Sequence, residues 1–236
     1  LNKSGPLCGS SATLLILQSG AARTQIVRLH LLIGTLHTGF ELAEAERTMP
    51  VLDCAVLVIS GTDGVQAHTL TLWQLLKRYG VPVFLFVNKM DLPGLSEEEI
   101  MERLRQQLDV GCVDFQTDAE KMAESAAMCD EALLECYLEN GTIPREQLQR
   151  VVAQRKLFPC CFGSALKLDG VDRFLSLLDA YAPRKEYADT FGALVYKISR
   201  DAQGNRLSWI KLTGGSLSVR SALRYKNVAG EELEEK

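Results

Sequence analysis

The middle of the chain alternates between unbroken apolar runs and segments in which apolar residues recur at helical spacing. Residues 51–60 and 81–87 are apolar runs rich in β-branched residues. Runs of this length and composition are typical of strands buried on both faces of a parallel sheet. Residues 66–79, between them, carry leucines and a tryptophan near helical spacing and end before a glycine and a proline. A strand, a helix and a strand joined this closely form a βαβ unit, which predicts a parallel sheet.

The pattern before residue 51 is weaker. Residues 26–33 predict a strand, residues 34–39 a turn and residues 41–47 a short helix. Residues 1–25 show no clear periodicity, and we expect an irregular terminus there. Residues 5–11 faintly resemble a phosphate-binding loop. Ser10, however, stands where such a loop needs a lysine, whose charge serine cannot supply.

Helical and strand patterns resume after residue 91. Ser96 and Glu99 form a capping box for a helix over residues 97–108. The sequence also predicts a short strand over residues 157–163 and helices over residues 117–140, 144–155 and 171–181. We therefore expect residues 1–184 to form an α/β domain with a mainly parallel sheet that is incomplete at its amino-terminal end.

Beyond Pro183 the chain changes to short strand-like segments separated by glycine-containing turns. Residues 191–199, 206–212 and 216–224 are strand-like, and residues 202–205 and 214–215 suit hairpin turns. We expect residues 185–236 to begin an antiparallel β-barrel domain. Three strands before the acidic segment 231–236 are too few to close a barrel, so we expect a chain truncated at its carboxyl end.

Composition narrows the class of protein without deciding its function. The 236 residues are 47% apolar and 24% charged, which is ordinary for a globular protein. The net charge of −4 gives no global signature of nucleic-acid binding, so we expect no DNA partner. No apolar stretch reaches the length of a membrane span and no secretory signal is recognisable. We therefore expect a cytoplasmic protein that does not bind membranes.

The seven cysteines form no C-x-x-C pair, and several lie within apolar patterns. Such cysteines are typical of core residues in a reducing compartment. Cys160 and Cys161 would point to opposite faces of a strand, which argues against a shared metal. The sequence therefore predicts no metal site.

The residues that follow the apolar run 81–87, Asn88-Lys89-Met90-Asp91, are candidates for ligand binding. Open α/β sheets bind their ligands at the carboxyl ends of strands. Asp91 could accept two parallel hydrogen bonds from the ring N–H and the exocyclic amine of guanine, donors that adenine does not offer together. Asn88 could tie adjacent loops and donate to the purine edge, while the Lys89 stem covers the face of the base. The alternative is an Asp that only caps the next helix, and the preceding strand favours guanine.

Four segments in combination resemble the translational GTPases: residues 51–69, 86–92, 162–166 and 191–200. The resemblance covers residues 26–225 and is greatest to the tetracycline-resistance ribosomal protection proteins, which are relatives of elongation factor G. It implies a P-loop-type GTPase G domain followed by a β-barrel domain. It also implies GTP or GDP with Mg²⁺ as ligands, the ribosome as partner, and release of tetracycline as the biological output.

The base-contacting residues of this family can be matched position by position. Asn88, Lys89 and Asp91 correspond to its guanine-specificity motif. The segment Ser164, Ala165 and Leu166 corresponds to its second base-contacting loop, in which a backbone N–H meets the guanine oxygen. A plain strand-to-helix cap is the alternative for this segment, and the partner motif at the end of another strand favours base binding.

The phosphate end departs from the family pattern. Gly34 stands where the family has an Asp that helps to hold Mg²⁺, and Thr38 where it has the His that orients the attacking water. His37 could replace that His only if the register slips by one residue, and the alternative is a turn histidine without a catalytic role. Because phosphoryl transfer depends on positioning and charge neutralisation, we expect these losses and the missing lysine to abolish hydrolysis.

Three functions stay open from the sequence. The first is a ribosome-dependent GTPase of the ribosomal protection type, present as a partial chain. The second is a remnant that does not hydrolyse GTP and binds guanine nucleotide weakly or not at all. The third is another translational GTPase, such as a relative of elongation or release factors. The family resemblance favours the first, whereas the residues at the phosphate end favour the second for the activity of this chain.

Overall fold

The computed structural model describes residues 13–18, 30–35, 46–183, 187–218, 222–226 and 230–235. These residues divide into two compact units. The first contains the described residues up to 183, and the second contains those from 187 onward.

The first unit is built on a six-stranded sheet with the spatial order β2-β1-β3-β4-β6-β5. Its strands are β1 (Thr13–Gln18), β2 (His30–Thr35), β3 (Cys54–Ser60), β4 (Val83–Asn88), β5 (Cys112–Asp114) and β6 (Phe158–Phe162). The four strands from β3 to β6 pair in parallel. Strand β1 runs antiparallel to both of its neighbours, β2 and β3. The predicted α/β class with a mainly parallel sheet is confirmed.

Helices cover both faces of this sheet, which explains why β3 and β4 are continuous apolar runs. Residues along β4 alternate between two buried clusters: Leu85 packs with Trp73 and Leu104 on one face, and Phe86 packs with Phe174 on the other. The helices are α1 (Ala67–Arg78), α2 (Glu97–Gln107), α3 (Ala119–Ala127), α4 (Glu131–Asn140), α5 (Arg145–Ala153) and α6 (Val171–Tyr181). Helices α1 and α2 lie on the first face, and helices α3 to α6 contribute to the second.

The two adjacent cysteines of β6 follow this alternation. Cys160 belongs to the cluster of the first face and Cys161 to that of the second, as the sequence predicted. Burial raises the pKa of Cys161 to about 12. Both residues therefore serve as small core side chains.

The amino-terminal half of the sheet differs from the prediction. The predicted strand over residues 26–33 is found at His30–Thr35, so Gly34 lies within a strand and not in a turn. Strand β1 was not predicted, because residues 1–25 carry no clear alternation. The predicted strand over residues 51–60 begins only at Cys54, because Met49–Val51 forms a 3₁₀ turn that contains a proline.

The predicted helix over residues 117–140 is wrong, since the structure has two helices there. Asp130 has an extended backbone with φ −155°, which ends any continuous helix. Its side chain accepts a hydrogen bond from the N–H of Ala132 at 3.1 Å and so caps α4. Asp130 marks the start of a new helix, but the helical spacing of the apolar residues on both sides of it predicted one continuous helix. The capping box of Ser96 and Glu99, in contrast, is confirmed.

The second unit contains two antiparallel pairs of strands. Strands β7 (Gly192–Arg200) and β8 (Arg206–Gly214) form the predicted hairpin. Strands β9 (Leu223–Lys226) and β10 (Glu232–Glu235) pair with each other. Among the described residues, three strands precede residue 231, as expected, but β9 overlaps the predicted strand 216–224 only at residues 223–224. The acidic segment supplies a fourth strand, β10, which the sequence did not predict. The predicted hairpin turn at residues 214–215 is not found, because β7 and β8 form a two-stranded sheet among the described strand pairings.

In the part of the chain described above, every helix is too short or too polar to cross a lipid bilayer.

Candidate functional site

Three loops leave the carboxyl ends of neighbouring parallel strands and gather at one edge of the sheet. They follow β3, β4 and β6, and comprise residues 60–64, 88–94 and 163–170 respectively. The register aligns the ends of these strands, because Ser60 pairs with Asn88 and Val87 with Phe162. Parallel pairing therefore brings together segments that lie far apart in the sequence.

Asn88 joins the second and third loops through one atom. Its side-chain oxygen Oδ1 accepts the backbone N–H of Lys89 and the backbone N–H of Ala165, each at 2.8 Å. Lys89 adopts a left-handed backbone with φ +68°, which turns the chain sharply after β4. Because both bonds use the amide oxygen, the amide nitrogen of Asn88 is a separate donor group at this edge.

Backbone hydrogen bonds reinforce this connection. The N–H of Met90 donates to the carbonyl of Gly163 at 3.1 Å, and the N–H of Gly163 donates to Val87 at 2.9 Å. On the other side, the N–H of Gly61 donates to the carbonyl of Asn88 at 2.8 Å. The loop after β4 is therefore fixed to both of its neighbours.

Asp91 is the carboxylate of the site, and it has partners on the third loop. The hydroxyl of Ser164 hydrogen-bonds to it and, with the nearby ammonium of Lys167, holds the pKa of Asp91 below its usual value, against the opposing effect of desolvation. Nζ of Lys167 lies 3.4 Å from Oδ2 of Asp91. Asp91 is therefore ionised at neutral pH and can accept hydrogen bonds from a ligand.

The third loop is closed on itself and needs glycine where it begins and ends. Ser164 and Asp169 exchange two backbone hydrogen bonds of 3.0 Å. A Cβ on Gly163 would lie 2.3 Å from the carbonyl oxygen of Asp169, and one on Gly170 would lie 2.5 Å from that of Phe162. Leu166 projects from this loop with 89% of its surface exposed.

Gln116 supports the site, a role that its place in the sequence does not predict. The side-chain amide of Gln116 accepts the N–H of Phe162 at 2.7 Å and donates to the carbonyl of the same residue at 3.0 Å. It thereby extends the sheet beside the end of β6 and fixes the strand from which the third loop leaves. No sequence signal indicates this contact, because a polar residue 46 positions away gives no hint of its partner.

Other predicted residues are not brought into this site. His37 and Thr38 lie outside the described residues, as does the loop of residues 5–11. Gly34 lies in β2 and pairs with Leu14, and β1 separates that strand from β3. Within the described ranges, no group of three or more His, Cys, Asp or Glu side chains could hold a metal ion.

The donors and acceptors that do meet suit a flat, polar heterocycle. Asp91 offers a carboxylate and Asn88 an amide nitrogen at the same edge, whereas the N–H groups of Ser164 and Ala165 in the third loop already donate to Asp169 and Asn88. Charged acceptors and fixed donors of this kind can read the edge of a base by hydrogen bonding.

Comparison with known proteins gives consistent results. Residues 37–184 match the family described as Elongation factor Tu GTP binding domain. An oxytetracycline resistance protein of Streptomyces rimosus is 28% identical over 81% of this chain and 33% of its own length. Elongation factor G of Dehalococcoides mccartyi strain CBDB1 is 30% identical over 80% of this chain and 37% of its own length. A tetracycline resistance protein of Streptococcus pneumoniae is 28% identical over 78% of this chain and 32% of its length.

A solved structure of a protein from Thermus thermophilus has the same fold. It superposes with a TM-score of 0.67 and 19% identity, and the match covers 94% of this chain and 42% of that protein. The chain thus spans about a third of the length of the curated relatives that it matches.

Proposed function

Because the chain belongs to the elongation factor Tu GTP-binding domain family and is of the translational GTPase type represented by elongation factor G and the tetracycline resistance proteins, we propose that it binds guanine nucleotides. Asn88, Lys89 and Asp91 contact the base from the second loop, and the segment 164–166 contacts it from the third. Asp91 accepts the two guanine N–H donors, and a backbone N–H of the segment meets the guanine oxygen.

One observation carries this proposal, namely the hydrogen bond between Oδ1 of Asn88 and the N–H of Ala165. A base-binding pocket made from two loops needs them at a fixed separation before the ligand arrives, since ordering them during binding would weaken affinity. The bond supports this role because it links the loops directly. The pKa of Asp91 is lowered by Ser164, which supports a carboxylate that stays ionised and ready to accept.

The residues at the phosphate end disfavour hydrolysis, so the proposed binding depends chiefly on the base end. Ser10 replaces the lysine that would neutralise the β- and γ-phosphates, and Gly34 has no side chain to hold Mg²⁺. When bound, Mg²⁺ would supply charge neutralisation on the phosphates. We infer that this chain holds GDP or GTP chiefly through its base and hydrolyses GTP poorly. We assign no catalytic role to His37.

A second candidate function is favoured by the relatives. Two tetracycline resistance proteins and an elongation factor G are among the similar proteins. For a longer protein of this type, we therefore propose ribosome-dependent GTP hydrolysis and protection of the ribosome from tetracycline. The ribosome is then the partner and the cytoplasm the compartment. Another translational GTPase, of the elongation- or release-factor kind, is the alternative within this proposal.

Two measurements test these functions. Titration of the chain with fluorescent mant-GDP, followed by competition with GDP and with ADP, measures binding and base selectivity. We expect saturable binding that GDP reverses and ADP does not, and absence of binding would overturn the proposal. Phosphate release from GTP with and without ribosomes measures hydrolysis. Robust stimulated turnover by this chain would favour the second candidate and contradict our inference about the phosphate end.

A further inference from the structure

The carboxylate of Asp91 has one buried and one exposed side-chain partner. Ser164, which is only 2% exposed, hydrogen-bonds to it from the protein interior. Lys167, whose side chain is 62% exposed, contacts Oδ2 through its ammonium at 3.4 Å. The two partners therefore reach the carboxylate from different sides, one from the core and one from solvent.

A base can reach Asp91 only from the solvent side, because Ser164 closes the interior side and the Asp91 side chain is 14% exposed. The ammonium of Lys167 stands on that open side. Given the guanine site proposed above, we propose that Lys167 is a gate on Asp91. Its ammonium pairs with the carboxylate and must leave before guanine can donate its two hydrogen bonds.

The attachment of Lys167 is consistent with a gate. Its backbone N–H donates to Oγ of Ser164 at 3.4 Å, so its main chain is held by the residue that also holds Asp91. The mostly exposed side chain beyond that anchor is long and flexible, and it can swing into solvent without disturbing the loop. Adenine offers a carboxylate only its exocyclic amine at this edge, beside a ring nitrogen that accepts, so it displaces the ammonium less readily than guanine does.

The test uses guanosine, which is uncharged and so reports on the base end without any contribution from phosphates. Its affinity is measured by calorimetry for the whole chain and for the Lys167→Gln variant, at low salt and at about 1 M NaCl, where the screening length falls to about 3 Å. Lys121→Gln is the matched control, because Lys121 forms a similar ion pair with Asp118 at 3.6 Å. Thermal melting verifies that each variant folds, and Lys167→Met provides a second neutral variant.

We expect Lys167→Gln to bind guanosine about two- to fivefold more tightly than the wild type at low salt, the range for releasing a partly exposed ion pair. The wild type should approach the variant at high salt, and Lys121→Gln should behave as the wild type. Adenosine should gain nothing from the substitution. Equal or weaker guanosine binding by both Lys167 variants overturns the gate while leaving guanine recognition intact. A wild type that does not prefer guanosine to adenosine overturns the proposed guanine site, and the gate with it.

Discussion

Oδ1 of Asn88 accepts the backbone N–H of Ala165 at 2.8 Å, across 77 residues of chain. The same oxygen accepts the N–H of Lys89, so one amide group fixes the turn after β4 and the loop after β6 together. Both bonds are made within the protein. They therefore support a base end that the fold preorganises in the proposed site.

Replacing Asn88 by alanine should separate the two loops. Each acceptor bond contributes about 1 kcal/mol, so we expect guanosine and mant-GDP affinity to fall by roughly five- to tenfold and unfolding stability to fall by about 1 kcal/mol. Urea unfolding and fluorescence titration measure the two effects. Asn140→Ala is the control, because the amide of Asn140 donates to the carbonyl and Sγ of Cys136, one turn earlier at the exposed end of α4. An equal loss in both variants would argue against a special role for Asn88.

Replacing Asp91 by asparagine should change the base that is preferred. A carboxylate accepts from both guanine donors, whereas an amide accepts one hydrogen bond and donates another. That pattern fits xanthine, which has a carbonyl where guanine has its amine. We expect guanosine affinity to fall by about ten- to a hundredfold and xanthosine affinity to rise, as seen by calorimetry with each nucleoside. If guanosine binding were unaffected, Asp91 would have no part in reading the base.

The proximity of these residues could be predicted from the sequence, because the apolar runs before Asn88 and Ser164 identify buried parallel strands. Polar residues that follow such strands meet at one edge. What could not be predicted is how their side chains pair. The contact of Lys167 with Asp91 and the pairing of Gln116 with Phe162 depend on loop conformations that leave no periodic pattern.

The errors in predicted elements have physical causes as well. A stripe of apolar residues over 117–140 has helical spacing, but a single capping carboxylate divides it. Strand β1 has few alternating positions, and its pairing partner β2 comes later in the chain. Strand β10 consists mostly of glutamates, which favour solvent-exposed segments by composition, although they can occupy an exposed strand.

Gly163→Ala should destabilise the third loop by steric conflict. The new Cβ would lie 2.3 Å from the carbonyl oxygen of Asp169, and backbone must move to make room. Overpacking of this kind costs about 1–3 kcal/mol, so we expect lower unfolding stability and weaker guanosine binding together. Gly94→Ala is the control, since its nearest contact is an ordinary 3.5 Å to the carbonyl oxygen of Gly61. Similar stabilities for the two variants would show that the loop can relax around the methyl group.

Asp130 and Asp118 offer a matched test of helix capping, because each lies at the N-cap of a helix and pairs with a lysine. The side chain of Asp130 accepts the N–H of Ala132 and is only 9% exposed, whereas that of Asp118 makes no capping hydrogen bond and is 81% exposed. We expect Asp130→Ala to lower unfolding stability by about 1–2 kcal/mol. Asp118→Ala should lower it by less than about 0.5 kcal/mol, as is usual for exposed residues.

The stability difference between the wild type and Asp130→Ala should decrease at acidic pH. Lys156, followed by smaller contributions from the capped backbone, lowers the pKa of Asp130 in the folded chain, against the effect of desolvation. A lowered carboxyl pKa stabilises the fold above the unfolded value of about 3.9, and that stabilisation is lost as the pH falls through the folded value. The gap between wild type and Asp130→Ala should therefore be constant from neutral pH to about pH 5 and shrink below about pH 4. Urea unfolding at several pH values measures it, and a gap that widens on acidification would contradict an ionised cap.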